Sequence, residues 1–168
     1  MATVTYPLSI GSFIPSATVP PEQVRLEGTN FPEFGYAFAD ATNDEIMYSE
    51  RLFIPNYGSG NVSALVDWRS RTGQTTGAVV LGAALSVLTP GDAQSVATDA
   101  FATENTQTTT VSGTASALNR TTITISNLDS LAANDSLVLR IARKQSNGSD
   151  TMTGDCIIEG VTLQYSDT

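Results

Sequence analysis

A chain of 168 residues with 40% hydrophobic content is long enough for one domain with a proper core and short for two. Its 17 acidic residues against 8 basic ones give a net charge of -9, which repels polyphosphates and argues against nucleic acid or an anionic membrane surface as a partner. Histidine is absent, so the commonest proton shuttle and metal ligand is missing and every catalytic triad with a histidine base is excluded within this chain.

About a quarter of the residues are serine or threonine, and threonine with the β-branched aliphatics favours pleated strands over helices. No charged leader, cleavage site or continuous apolar run of about 20 residues is visible. The expectation is a protein made in the cytosol that remains there or leaves as part of an assembly.

Residues 1–30 differ from the rest. Pro7, Pro15, Pro20 and Pro21 remove backbone donors and fix φ, and the apolar pairs Leu8/Ile10 and Phe13/Ile14 punctuate the segment. It reads as an extended N-terminal arm, either a strand and loop packed on its own domain or a segment reaching a neighbouring subunit. Residues 31–168 then form the domain proper. Phe34 to Phe38 alternates aromatic and small residues, which suits a core strand with its rings inward, and Asp40 to Asp44 supplies the following loop.

Glu45 to Ile54 is ambiguous, and Pro55 ends its pairing. After the loop Asn56 to Gly60, Val62, Ala64, Val66 and Trp68 mark one face of a strand. Thr72 to Gly77 turns the chain. Val79, Leu81, Ala83, Leu85 and Val87 form a second inward face, and apolar Val80 and Ala84 between them indicate a strand buried on both faces, closed by Thr89-Pro90-Gly91-Asp92.

Ala93 to Ala117 is polar and threonine-rich and reads as two short strands around a loop, anchored by Phe101 and Val111, with Phe101 a core residue rather than a stacking platform. Ile123 and Ile125 define another strand, and Asn127 to Asp135 a connection with one helical turn. Leu137 to Arg143 and Ile157 to Tyr165 alternate around Ser146 to Asp150, which reads as a closing β-hairpin because Asn-Gly supplies the positive φ a tight turn needs. Seven to nine short strands between Gly, Pro, Asn and Ser turns predict an all-β, antiparallel two-sheet sandwich of jelly-roll type.

Few groupings suggest chemistry. Asp150, Asp155 and Glu159 could offer oxygens to calcium, but a solvated turn is the simpler reading, since no Asp-rich loop of defined spacing is present. Asp129 with Asp135, or Asp40 with Asp44 and Glu45, could pair as general acid and base, yet surface carboxylates are usually only solvated. Arg140 and Arg143 face opposite sides of their strand, with Arg143 expected to bridge to Asp150 or Asp155 across the hairpin. Cys156 cannot form an internal disulfide and reads as a buried core residue. The Asn-X-Ser/Thr triplets at Asn61, Asn119, Asn134 and Asn147 would accept glycans only in a secretory pathway. A sugar-binding surface would draw on exposed Trp68, Tyr57 or Tyr48, although the pattern of its strand turns Trp68 inward. No catalytic residue, metal or cofactor is expected.

The order Tyr36-Ala37-Phe38, an acidic loop with Asp44, Phe53-Ile54-Pro55 before a Gly-containing turn, and a strand ending in Trp68 resembles a family of jelly-roll proteins from tailed-phage genomes. So does the ending, with Leu139-Arg140-Ile141-Ala142-Arg143, Asp150-Thr151, Gly154-Asp155 and Val161-Thr162-Leu163-Gln164-Tyr165. The resemblance covers the chain from about residue 30 onward. It implies a non-enzymatic virion protein of the capsid cement or decoration type, commonly trimeric, seated on the major capsid protein at the capsid surface. The alternative it leaves open is a carbohydrate-binding, head-fibre or tail-associated module that attaches to host-surface glycans.

Overall fold

The computed structural model describes residues 1–27 and 32–167. Two antiparallel sheets pack face to face as a jelly-roll-like sandwich, with one 3-10 turn at Ile10–Ser12. The first sheet holds β1 (Thr3–Leu8), β3 (Glu22–Glu27), β4 (Pro32–Phe38), β7 (Val62–Ser70), β10 (Asn119–Ile125) and β12 (Cys156–Ser166). Its order is β10-β7-β12-β4-β3, and β1 takes the place beside the second half of β12. The second holds β2 (Ile14–Pro15), β5 (Glu45–Tyr48), β6 (Leu52–Ile54), β8 (Ala78–Leu88), β9 (Asn105–Thr110) and β11 (Asp135–Arg143), in the order β2-β5-β11-β8-β9 with β6 beside the start of β11.

The alternation of β7 does what its sequence predicts. Val62, Ala64, Val66 and Trp68 are fully buried between the sheets, while Ser63, Leu65, Asp67 and Arg69 face outward. The Trp68 indole N–H donates to the Thr121 hydroxyl at 2.8 Å, so the polar edge of the ring is satisfied inside the core. In β8, Val80, Ala84 and Ser86 are buried as well as the inward set; residues 94–104 run along the strand at Leu85 and Ser86, and Lys144 and Asp150 bond its backbone at Val80. A strand covered on both sides reads as a continuous apolar run.

The opening residues are extended, and β1, β2 and β3 pair with β12, β5 and β4 of the same chain. The expected boundary at residue 30 lies outside the described residues. Glu45 to Ile54 resolves into β5 and β6, separated at Ser49, whose hydroxyl accepts the Leu139 N–H at 2.9 Å and donates to the Glu50 carbonyl. Phe34 departs from the inward pattern of Tyr36 and Phe38 and is 37% exposed, with its ring edge-on to Tyr36.

Three expectations are corrected. Residues 93–117 contain one strand, β9, since the preceding stretch packs through side chains and isolated backbone bonds. Residues 127–135 form turns instead of a helical turn, because Asp129 and Ser130 adopt left-handed φ values of 53° and 60°. The closing hairpin does not exist either: β11 and β12 alternate as expected but lie in different sheets. Neither Asn147 nor Gly148 has positive φ, so the tight turn that would have joined them side by side is not made.

Residues 144–155 instead carry the chain from one sheet to the other around a buried ion pair. Arg143 ends β11 with its side chain fully enclosed, and Nε and Nη2 donate to the Asp150 carboxylate at 3.2 and 2.9 Å. Its remaining donors go to the carbonyls of Phe38 on β4, Gly154 and Met152. Asp150 also accepts the Val80 N–H of β8 at 3.0 Å. The pair thus ties both sheets and the crossover together. Asp150→Ala should cost about 3–5 kcal/mol in urea unfolding, because it leaves a buried guanidinium without its counter-charge. A loss under about 1 kcal/mol, the scale of an exposed pair, would contradict this.

Candidate binding face

Directly paired residues share a face of a sheet. Ile14 pairs with Tyr48, Tyr48 with Arg140, and Arg140 with Ala84, so these four form a row on the solvent side of the second sheet. Ile46, Ala142, Gly82 and Thr106 form the next row. Phe101 reaches over the first row from residues 94–104. Its ring lies 5.5 Å from that of Tyr48, and the Arg140 guanidinium carbon stands 5.2 Å over its centroid. Both rings are half-buried and Ile14 is 62% exposed, so part of the row meets solvent. The Tyr48 hydroxyl has no hydrogen-bond partner among the described residues.

Alternating charges hold Phe101 in place. Arg140 bonds Glu104 at 3.1 Å, Glu104 meets Lys144 at 3.0 Å, and Lys144 meets Asp44 at 2.5 Å. A Cβ on Gly82 would stand 2.5 Å from the Glu104 carboxylate carbon, so the glycine makes room for this chain of charges. Burial raises the Asp44 carboxyl, but hydrogen bonds from Lys144 and Ser146 outweigh it and hold the group below its ordinary value. Burial likewise acts to lower Lys144, and its bonds to Asp44 and Glu104 carry it above the ordinary value instead.

Further along the same face, Phe53 pairs with Ser136 and is 54% exposed. Beside it opens a pocket of about 280 Å³, lined by Leu88, Pro90 and Val96 together with Arg51, Asp92 and Ser136 among others. The solvent side of the first sheet is different. Its hollow of about 230 Å³ is lined by Thr3, Asn61, Ser63 and Gln164, and the one ring there, Tyr165, is buried.

Of the aromatic residues expected at a sugar-binding surface, only Tyr48 lies on the solvent side of a sheet. Trp68 is enclosed in the core, and Tyr57 is buried with its hydroxyl bonded to the Gly60 carbonyl. The carboxylates considered as calcium ligands are separated, each held by its own arginine: Asp150 by Arg143, Asp155 by Arg71 and Glu159 by Arg69. No group of three or more metal-ligating side chains occurs among the described residues. The candidate acid–base residues serve the backbone: Asp129 accepts from Val87, Asp135 from Ala132, Asp40 from Gly154 and Glu45 from Ala39. Asp44 belongs to the charged chain beside Phe101. Cys156 is buried, and burial pushes its thiol up to about 12. Of the glycan triplets, Asn61, Asn134 and Asn147 are exposed, and Asn119 bonds Ser112 and Ala117. Sequence reasoning missed Ile14, Glu104 and Arg51, and it assigned to the core Phe101, whose half-buried ring lies outside the core against Tyr48 and Arg140. Gly82, inside an otherwise apolar strand, was the available sign that another segment approaches there.

No family model matches this sequence, and no curated protein is detectably similar to it. The fold is similar to that of a carbohydrate-binding module specific for non-crystalline cellulose, with a TM-score of 0.52 and 12% identity over 89% of this chain and 86% of that one. It is similar also to a family 11 carbohydrate-binding module from Clostridium thermocellum, solved with a β-1,3-1,4-mixed-linked tetrasaccharide, at a TM-score of 0.52 and 9% identity over 97% and 96% of the two chains. An arabinose-bound α-L-arabinofuranosidase matches at a TM-score of 0.50 and 8% identity, with 94% of this chain spanning 24% of that one. At these identities the likeness is one of fold: an antiparallel two-sheet sandwich of the kind found in carbohydrate-binding modules.

The charged chain beside Phe101 makes a pH prediction. A lysine whose pKa is raised on folding contributes its stability in full below its ordinary value of 10.5 and loses it as pH rises through the folded value. Lys144→Met should therefore melt below wild type near neutral pH, and the two curves should converge in strong alkali. A gap that stays constant across thermal melts at all pH values would contradict the assignment.

Proposed function

We propose that this chain is a non-enzymatic glycan-binding module that uses the solvent face of its second sheet around Tyr48 and Phe101. The observation that carries the proposal is the half-buried Tyr48–Phe101 pair, fixed by Arg140 and open on one side beside Ile14. Sugar rings present apolar C–H faces and a periphery of hydroxyls. Aromatic rings answer the first, and Arg140, Glu104, Lys144 and the Tyr48 hydroxyl answer the second. The hollow on the first sheet supports binding less well, since it is lined by polar groups and its one ring, Tyr165, is buried, while the exposed rings of that sheet, Tyr6 and Phe34, lie outside it. The carbohydrate-binding modules among the fold neighbours add support at the level of architecture.

The resemblance to tailed-phage proteins implies a virion setting. Glycan binding at this face would there serve attachment to a host surface, and a trimeric cement on the major capsid protein is the competing role. Tyr48→Ala should weaken binding to a soluble oligosaccharide by roughly 2- to 10-fold in calorimetry, the worth of one aromatic contact, while the melting curve stays cooperative. Unchanged affinity in a folded Tyr48→Ala protein would remove this face from the proposal.

A further inference from the structure

The chain carries 8 lysine and arginine side chains against 17 acidic ones. Nearly all of the cations are already engaged: Arg69, Arg71, Arg120, Arg140, Arg143 and Lys144 each hold a carboxylate, and Arg25 has a partner too. Arg51 is exposed and is the one side-chain cation among the described residues with neither an ion pair nor a hydrogen bond. It stands in the wall of the 280 Å³ pocket on the second sheet. In a protein with this excess of carboxylates, an unpaired guanidinium at the mouth of a pocket is a vacancy for an anion from outside.

The lining narrows the class of anion. Leu88, Pro90 and Val96 give the pocket an apolar wall, and Thr89 and Ser136 add small hydroxyls. Gln94 contributes little, because its amide is tied to Thr89 and Val87. Asp92 lines the same pocket, and with the net charge of -9 it disfavours a multiply charged group such as phosphate. A single carboxylate matches the planar fork of arginine in a bidentate pair. The volume lies just under the roughly 300–1,000 Å³ of sites for drug-sized ligands, which suits one ring.

The pocket is continuous with the binding face proposed above. Ser136 in its lining and Arg140 in the aromatic row lie on the same side of β11, four residues apart, or about 13 Å along the strand. A short oligosaccharide spans that distance. We propose that the pocket receives the carboxylate of an acidic sugar unit, a uronic acid, with Arg51 as its anchor, while neighbouring units lie toward Tyr48. This rests on the glycan-binding reading and names the class of glycan.

The test is calorimetric titration with a panel of uronic-acid-containing oligosaccharides, each beside its carboxyl-reduced neutral counterpart, on wild type and Arg51→Gln. Arg51 lies at the surface, so the variant is expected to fold. Wild type should bind the acidic member of a matching pair about tenfold more tightly, with the preference shrinking as salt is added. Arg51→Gln should lose that preference and keep the neutral affinity. Equal affinity for both members in wild type, or a preference that survives Arg51→Gln, overturns the anchor while leaving glycan binding intact. Binding of neither member across the panel overturns glycan binding and the anchor with it.

Discussion

The enclosed Arg143–Asp150 pair is the constraint on which the rest of the sandwich depends. Arg143 ends the central strand of one sheet, bonds the last residue of β4 in the other, and draws residues 150–154 inward through three further acceptors. Asp150 in turn fixes Val80 on the neighbouring strand. A guanidinium is costly to bury unless every donor finds an acceptor, and that requirement dictates the path of the crossover. Cys156, directly after it, starts β12 in the first sheet, paired with Phe38 and Ser70. The pair therefore links the end of β11 in one sheet to β4 and the crossover that leads into β12 in the other.

The solvent face of the second sheet depends on a different balance. Residues 94–104 lack regular structure, yet they are pinned at Asp99 by Ser86, at Ala102 by the Leu85 carbonyl and at Glu104 by Arg140 and Lys144. This fixes Phe101 over Arg140 and against Tyr48 with little freedom left to lose on binding, which is how a loop-borne ring becomes a usable contact. The same side chains that immobilise it are those a polar ligand would meet at its edge. Arg51 stands apart because none of the described residues neutralises it.

What was legible in the sequence follows from where water lies. The strand β7 has one wet and one dry face, so its period of two is plain and Trp68 is correctly turned inward. The strand β8 is dry on both faces and shows as an unbroken apolar run. Alternation cannot say whether two strands lie side by side or face to face, and so β11 and β12 read as a hairpin when they belong to opposite sheets. The Arg143–Asp150 contact was visible as a pairing of charges, but its burial was not, because enclosure is supplied by residues distant in sequence. The binding face was the least legible part. Tyr48 sits on a four-residue strand and Phe101 in an aperiodic segment, and only the folded sheet brings the two rings together.

The central claim is that the second sheet, and not the first, meets a glycan. Amide chemical-shift mapping by NMR during titration with a soluble oligosaccharide tests it most directly. The account predicts shifts clustered at Ile46, Tyr48, Phe101, Glu104 and Arg140, continuing toward Arg51 when the sugar is acidic. Shifts confined to Ser63, Thr122, Thr162 and Gln164 on the solvent side of the first sheet, or none with any glycan, would contradict it.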